Sequence, residues 1–387
     1  MGNPVLDEIL KIAMKIEASD VHLKPGKPPV FRLHNKLAPI KDSKVLGFEE
    51  LTEIIYSIMT PKQREEFETK LDYDMAYSVP GVGRFRVNLF KQRGSIGAVM
   101  RAIPMVVKGF KELGLPPIME KIANEKRGLV LVTGTTGSGK STTLASIIDY
   151  INNNFTCNII TIEDPIEYLF RDNRSIIIQR EVGFDTLSFS NALRAALRQD
   201  PDIILVGEMR DVETIEIALT AAETGHLVLS TLHTMDATET VNRIVGIFPP
   251  HQQQQIRYQL AATLKAVISQ RLVPKADGKG RVPAVEIMLA TARIKELIED
   301  PTRTKAIRDA IAEGANIYGM QTFDQSLYSL MKNNLITYEE ALKNATNPAD
   351  FALKVSGVDS SSDKTASVQE GSGEVSASKT EPKIERF

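Results

Sequence analysis

The sequence predicts an α/β fold: a parallel sheet covered by helices on both faces, preceded by a smaller α+β unit. Three observations carry this reading. Four short apolar runs, at 129–133, 159–163, 203–207 and 227–231, alternate with helical stretches, the pattern of strands buried on both faces. A glycine-rich segment at 134–141 lies between the first run and a helix-forming stretch. Before residue 104 the pattern is instead one of short strands and helices joined by Pro and Gly turns.

Val5, Ile9, Ile12, Ala13 and Ile16 recur at helical spacing. Residues 21–23 and 29–33 read as strands, 48–71 as mostly helix, and 74–78, 83–90 and 96–103 as successive strands, with a Pro80–Gly81 turn. Residues 1–103 therefore form one compact unit. Residues 104–117, rich in Gly and Pro, read as a linker, and 118–290 as the α/β core. Within that core, 252–271 is expected to be helical and 282–288 a further strand. Residues 291–355 read as a helical segment broken near 314–319, and the Ser- and Glu-rich stretch 356–387 as a disordered tail.

A chain of 387 residues, 25% charged and 42% hydrophobic, has the composition of a soluble globular protein of two or three domains. A net charge of −2 argues against a surface built to coat nucleic acid. Cys157, the single cysteine, excludes an internal disulfide and a Cys-rich zinc site. Asp7, Glu8, Lys11 and Lys15 break any secretory apolar core at the start. With no apolar run of membrane-spanning length, the expected compartment is the cytoplasm.

Gly134, Gly139, Lys140 and Ser141 fit G-x-x-x-x-G-K-S. Glycines let backbone N–H groups turn inward around phosphate, and the following helix aims its positive end at the same anion. Gly134, Thr135, Thr136, Gly137, Ser138, Gly139, Lys140, Ser141 and Thr142 are the expected ATP-binding residues. Lys140 would neutralise the β and γ phosphates, and the Ser141 hydroxyl would ligate Mg²⁺.

The run NIITIEDPIE ends on Glu163 and Asp164, where ligands bind in parallel sheets. Glu163 could polarise water or help hold Mg²⁺, or simply cap the loop. DIILVGEMRD resembles a Walker B strand in which Gly207 stands at the usual Asp and Glu208 at the general base. GHLVLSTLHT carries His226 at its start and His233 beyond its end. His233 could donate to a γ-phosphate, although a histidine at a strand end is commonly structural.

In order, GTTGSGKS, TIEDPIE, DIILVGEMRD and GHLVLSTLHT resemble the Walker A, Asp, Walker B and His boxes of the secretion ATPase superfamily. ASDVHL (18–23), GRFRV (83–87), AALRQD (195–200) and GMQTFDQSL (319–327) extend the resemblance to about residue 355. Within the superfamily it points to type IV pilus retraction ATPases. It implies a PAS-like N-terminal domain, a RecA-like ATPase domain and a homohexamer. It also implies ATP-driven pilus disassembly through an inner-membrane platform protein, at the inner face of that membrane and without nucleic acid. Both Glu163 and Glu208 match acidic positions tied to hydrolysis; Glu208 is favoured as base, with Glu163 supporting metal and water and His233 at the γ-phosphate.

Arg84, Arg86, Arg93 and Arg101 cluster late in the first unit. Phosphoryl transfer often draws an arginine from a neighbouring subunit. Arg86 and Arg101 match the family positions best, while Arg194, Arg198 and Arg210 are expected at subunit contacts. The alternatives are a pilus-extension or type II secretion ATPase, a RecA-like nucleic-acid motor, and a nucleotide-gated module. Assembly ATPases usually carry a tetracysteine insert, which a single cysteine disfavours.

Overall fold

The computed structural model describes residues 2–33, 36–39, 43–104 and 106–356. It opens on helix α1 (Pro4–Lys15), capped by Asn3, whose side-chain oxygen accepts from the Val5 and Leu6 amides at 3.1 Å each. Strands β1 (Asp20–Leu23), β2 (Val30–Leu33) and β3 (Lys36–Pro39) follow, then helices α2 (Phe48–Ser57) and α3 (Pro61–Lys70). A meander of β4 (Asp72–Val79), β5 (Gly83–Gln92) and β6 (Ser95–Ala102) completes an antiparallel sheet in the order β3-β2-β1-β6-β5-β4. Phe85, Val87 and Leu89 of β5 are buried in one cluster with Leu6, Leu10, Leu51 and Ile55 of the helices. The two-residue period of a strand therefore puts Arg84 and Arg86 on the opposite face.

The segment expected as a linker contains α4 (Phe110–Leu113), and Phe110 and Leu115 dock into the core of the second unit. The Phe110 ring lies 5.4 Å from that of Tyr150. Beyond α5 (Ile118–Ala123) come β7 (Gly128–Thr133), α6 (Lys140–Asn154), β8 (Asn158–Glu163), β9 (Ile176–Glu181) and α7 (Phe189–Ala196). Next are β10 (Ile203–Val206), α8 (Val212–Glu223), β11 (Leu227–Leu232), α9 (Ala237–Gly246) and α10 (Pro250–Thr263). Strands β12 (Leu264–Pro274) and β13 (Arg281–Leu289) close a seven-stranded sheet, β13-β12-β7-β11-β10-β8-β9. Every pair in it is parallel except β12 with β13.

All four expected runs are strands of this sheet. Leu129 and Leu131 of β7 pack into a cluster with α7 to α10, and Val130 and Val132 into a second cluster with α5 and α6. Coverage on both faces explains why these strands read as unbroken apolar runs.

The helix expected through 271 is corrected: α10 stops at Thr263 and the chain continues as β12. Strand β12 follows α10 with no Gly, Pro or turn between them, and it buries Val267 in one cluster and Ala266 and Ile268 in the other, so no two-residue period marks it. Strand β9 was not foreseen because it is the sheet edge, with Ile176 and Ile178 exposed.

The remaining helices are α11 (Ala292–Glu299), α12 (Ile307–Glu313), α13 (Ala315–Tyr318), α14 (Phe323–Lys332), α15 (Tyr338–Asn344) and α16 (Pro348–Val355), with a 3-10 turn at Thr304–Ala306. The expected break is a short α13 ended by Gly319 at φ 76°. Phe323, Leu327, Ala341 and Phe351 pack with Val273 and Val282 of the β12–β13 pair. The expected disordered tail lies, beyond Ser356, outside the described residues.

Candidate functional site

The loop after β7 is held open by its glycines. Gly134, at φ 141°, has no room for a side chain, since a Cβ there would meet the Gln270 carbonyl and Ser138 Oγ at 2.5 Å. Gly137 and Gly139 also have positive φ, 78° and 95°. Helix α6 begins at Lys140 with Gly139 as N-cap and no side-chain cap, so its first N–H groups face the loop. Lys140 is buried and donates to the Gly134 and Thr135 carbonyls at 2.8 and 3.0 Å. Burial pushes its pKa down, and the Glu208 charge works against that shift.

A cavity of about 530 Å³ opens over the loop. Thr136, Gly137, Gly139, Lys140, Ser141 and Thr142 line it, facing Glu163, Glu208 and His233. Gly134, Thr135 and Ser138 line a smaller adjoining hollow of about 290 Å³. The three acid and histidine residues come from the carboxyl ends of β8, β10 and β11, consecutive positions in the sheet apart from chain order.

Glu163 accepts a 2.6 Å hydrogen bond from Thr161 Oγ1 and a 3.2 Å bond from Gln179 Nε2. Burial pushes its carboxyl pKa up, and these bonds only partly offset that. Glu208 is 9% exposed and pairs through one oxygen with Arg210, while its other oxygen lies 3.6 Å from His233 Nε2. Gly207 is packed against the end of β8: a Cβ there would lie 3.2 Å from the Ile162 carbonyl and 3.4 Å from Glu163 Cα. A side chain at this position would press on the end of β8.

His226 is turned to its own backbone, with Nδ1 2.9 Å from the Ala221 carbonyl oxygen, and stands apart from the cavity. Arg86 and Arg101 lie on the N-terminal sheet, are exposed and do not line this chain's cavity. Arg194 pairs with Glu213 at 2.5 Å, and Arg198 bonds the Arg194 carbonyl at 3.2 Å. Arg210, grouped with them on sequence, lines the cavity. Sequence reasoning missed Arg281 and Tyr168, which also line it. Tyr168 is bonded to Thr142 at 2.9 Å.

A phosphate loop at the carboxyl edge of a parallel sheet, with acidic residues ending two further strands, defines a P-loop nucleotide-binding protein. The chain belongs to the type II/IV secretion system protein family, whose profile matches residues 2–370. It is 48% identical over 346 residues to the type IV pilus retraction ATPase PilT of Pseudomonas aeruginosa, spanning 89% of this chain and 99% of that protein. To the type IV pilus ATPase PilU of that organism it is 40% identical over 368 residues, 94% of this chain and 95% of that one. A crystal structure of the pilus retraction motor PilT with bound ADP matches with a TM-score of 0.81 at 49% identity, covering 89% and 98% of the two chains.

Proposed function

We propose that this chain is the subunit of an ATP-hydrolysing motor that powers type IV pilus retraction. The observation that carries the reading is the convergence of Lys140, Glu163, Glu208 and His233 on one cavity over the phosphate loop. Near-full-length identity to a retraction ATPase supports the biological role. The reading extends to a PAS-like N-terminal domain (1–103), a linker (104–117), a RecA-like core (118–290) and a helical C-terminal segment (291–355). It includes a homohexamer acting on an inner-membrane platform protein from the cytoplasmic face. No helix among the described residues is long and apolar enough to cross a membrane.

In this reading the loop amides and Lys140 bind the phosphates, and Glu208 accepts the proton of the attacking water. His233 donates to the γ-phosphate, exchanging its contact with Glu208 for one with substrate. Arg86 and Arg101 come from a neighbouring copy, a reading that fits their not lining the cavity of their own chain. The all-oxygen donor set of Ser141 and Glu163 suits Mg²⁺. Bound there, the ion would neutralise charge between the β and γ phosphates.

The test is complementation. Cells lacking this protein should regain pilus retraction with the wild-type chain and not with Lys140→Ala. Normal retraction in the deletion strain would remove the assignment.

A further inference from the structure

The strand registers of the N-terminal sheet place four charged residues in one row. Asp20 on β1 is directly opposite Arg32 on β2 and Arg101 on β6, and Arg101 is opposite Arg86 on β5. Directly opposed residues of antiparallel strands share a face, so the row reads Arg32, Asp20, Arg101, Arg86 at about 5 Å intervals on the face away from the helices. Three guanidinium groups at this spacing repel one another, and Asp20 is the acid placed among them.

Its geometry is selective. The Asp20 side chain is 5% exposed, whereas that of Arg101 is 70% exposed. Asp20 Oδ1 accepts from Arg101 Nε at 2.8 Å. Oδ2 accepts from Ser19 Oγ at 2.8 Å and lies 3.6 Å from Arg32 Nε. Backbone bonds from Ala102 N to the Ser19 carbonyl and from Ser19 N to the Arg32 carbonyl, both 3.0 Å, hold the three strands in register. Burial alone works against the charged carboxylate. The bonds from Ser19 and Arg101 and the charges of Arg101 and Arg32 outweigh it, so the pKa lies below its ordinary value. Asp20 is an anion wherever the protein works.

We propose that Asp20 is a positioning residue for Arg101: it grips the guanidinium by Nε, so that the two terminal nitrogens project outward to meet phosphate. A planar guanidinium held on one edge presents the paired donors that match two phosphate oxygens. An unanchored arginine on an exposed strand samples many rotamers and would reach a phosphate only part of the time. The inference rests on the reading of Arg101 as an arginine supplied to a neighbouring nucleotide.

The test is a double-mutant cycle on ATP turnover by the assembled full-length protein, with Asp20→Asn, Arg101→Ala and their combination. Asp20→Asn keeps the shape and loses the charge that fixes the arginine. It should lower kcat about 10-fold with KM for ATP within about twofold, as expected for a transition-state contact. The double variant should be no slower than Arg101→Ala within about twofold. Losses that multiply, or wild-type turnover in Asp20→Asn beside a slow Arg101→Ala, would overturn the positioning role. An Asp20→Asn chain that no longer assembles, judged by sedimentation and thermal midpoint, would make the carboxylate structural and overturn it as well. Wild-type turnover in Arg101→Ala would sink the arginine reading itself, a separate outcome.

Discussion

His233 Nε2 lies 3.6 Å from the Glu208 carboxylate, an approach created because β10 and β11 are parallel neighbours that end side by side. Arg210 occupies the carboxylate's other oxygen. Glu208 is therefore held between two groups that can also bind phosphate, and in the proposed function a γ-phosphate entering the cavity would compete for both of them. Such competition would free the carboxylate for water only when substrate is present.

The first prediction concerns that carboxylate. Glu208→Gln should cut ATP turnover about 100-fold or more while ADP still binds, because loss of a general base leaves the phosphate cradle intact. Lys140→Ala should lose both. Steady-state turnover and titration with a fluorescent ADP analogue separate the two variants. Near wild-type turnover in Glu208→Gln would transfer the base role to Glu163.

Glu163 should show a stability–activity conflict. Burial raises its carboxyl pKa above the ordinary 4.5. For an acid shifted in this direction, stability is fully present below the unfolded pKa and is lost as pH rises through the folded one. Glu163→Gln should therefore melt higher than wild type at pH 8 and turn over ATP more slowly. Thermal midpoints at pH 5 and pH 8 check the sign, since the gain should be larger at the higher pH.

Restoring the usual Walker B acid should do harm. In Gly207→Asp the new Cβ would press on the Ile162 carbonyl and on Glu163 Cα. Displacing the end of β8 moves Glu163 within the cavity, and turnover should fall at least about 10-fold. A Gly207→Asp protein as active as wild type would show that the strand ends can yield without cost.

Glu286 offers a pH test away from the cavity. It is 5% exposed on β13 and accepts from the Ala237 amide at 2.9 Å, at the start of the helix that follows His233. Burial, with the Asp236 charge adding to it, pushes its pKa up to about 7 against the pull of that amide and of Arg271 and Arg308. The stability it contributes is complete below pH 4.5 and is lost as pH rises towards about 7. Glu286→Gln keeps the acceptor for Ala237, so denaturant midpoints should show the variant gaining about 2–4 kcal/mol over wild type above pH 8. Equal pH profiles for the two proteins would refute this.

Local patterns were readable because they are short-range physics. GTTGSGKS declares a phosphate loop since positive φ at Gly134, Gly137 and Gly139 is a backbone property. The apolar runs declare buried strands because both of their faces are covered. By contrast, β12 was hidden because it follows α10 directly, from Thr263 to Leu264, with no Gly, Pro or turn to mark the change from helix to strand. The pairing of Arg210 with Glu208 was not readable, because it is set by the turn after β10, which composition does not report.

From the residues alone came the identity of the chemical groups: a phosphate cradle, the acids Glu163 and Glu208, the histidine His233 and a set of N-terminal arginines. Only the folded chain decided which of these meet. Strand order brings the ends of β8, β10 and β11 to one cavity, although α7 and α8 intervene in sequence. Strand register puts Asp20 against Arg101, 81 residues away. Both are long-range pairings, set by hydrogen bonding between strands and by burial of a shared core. No local window of sequence contains the two partners at once.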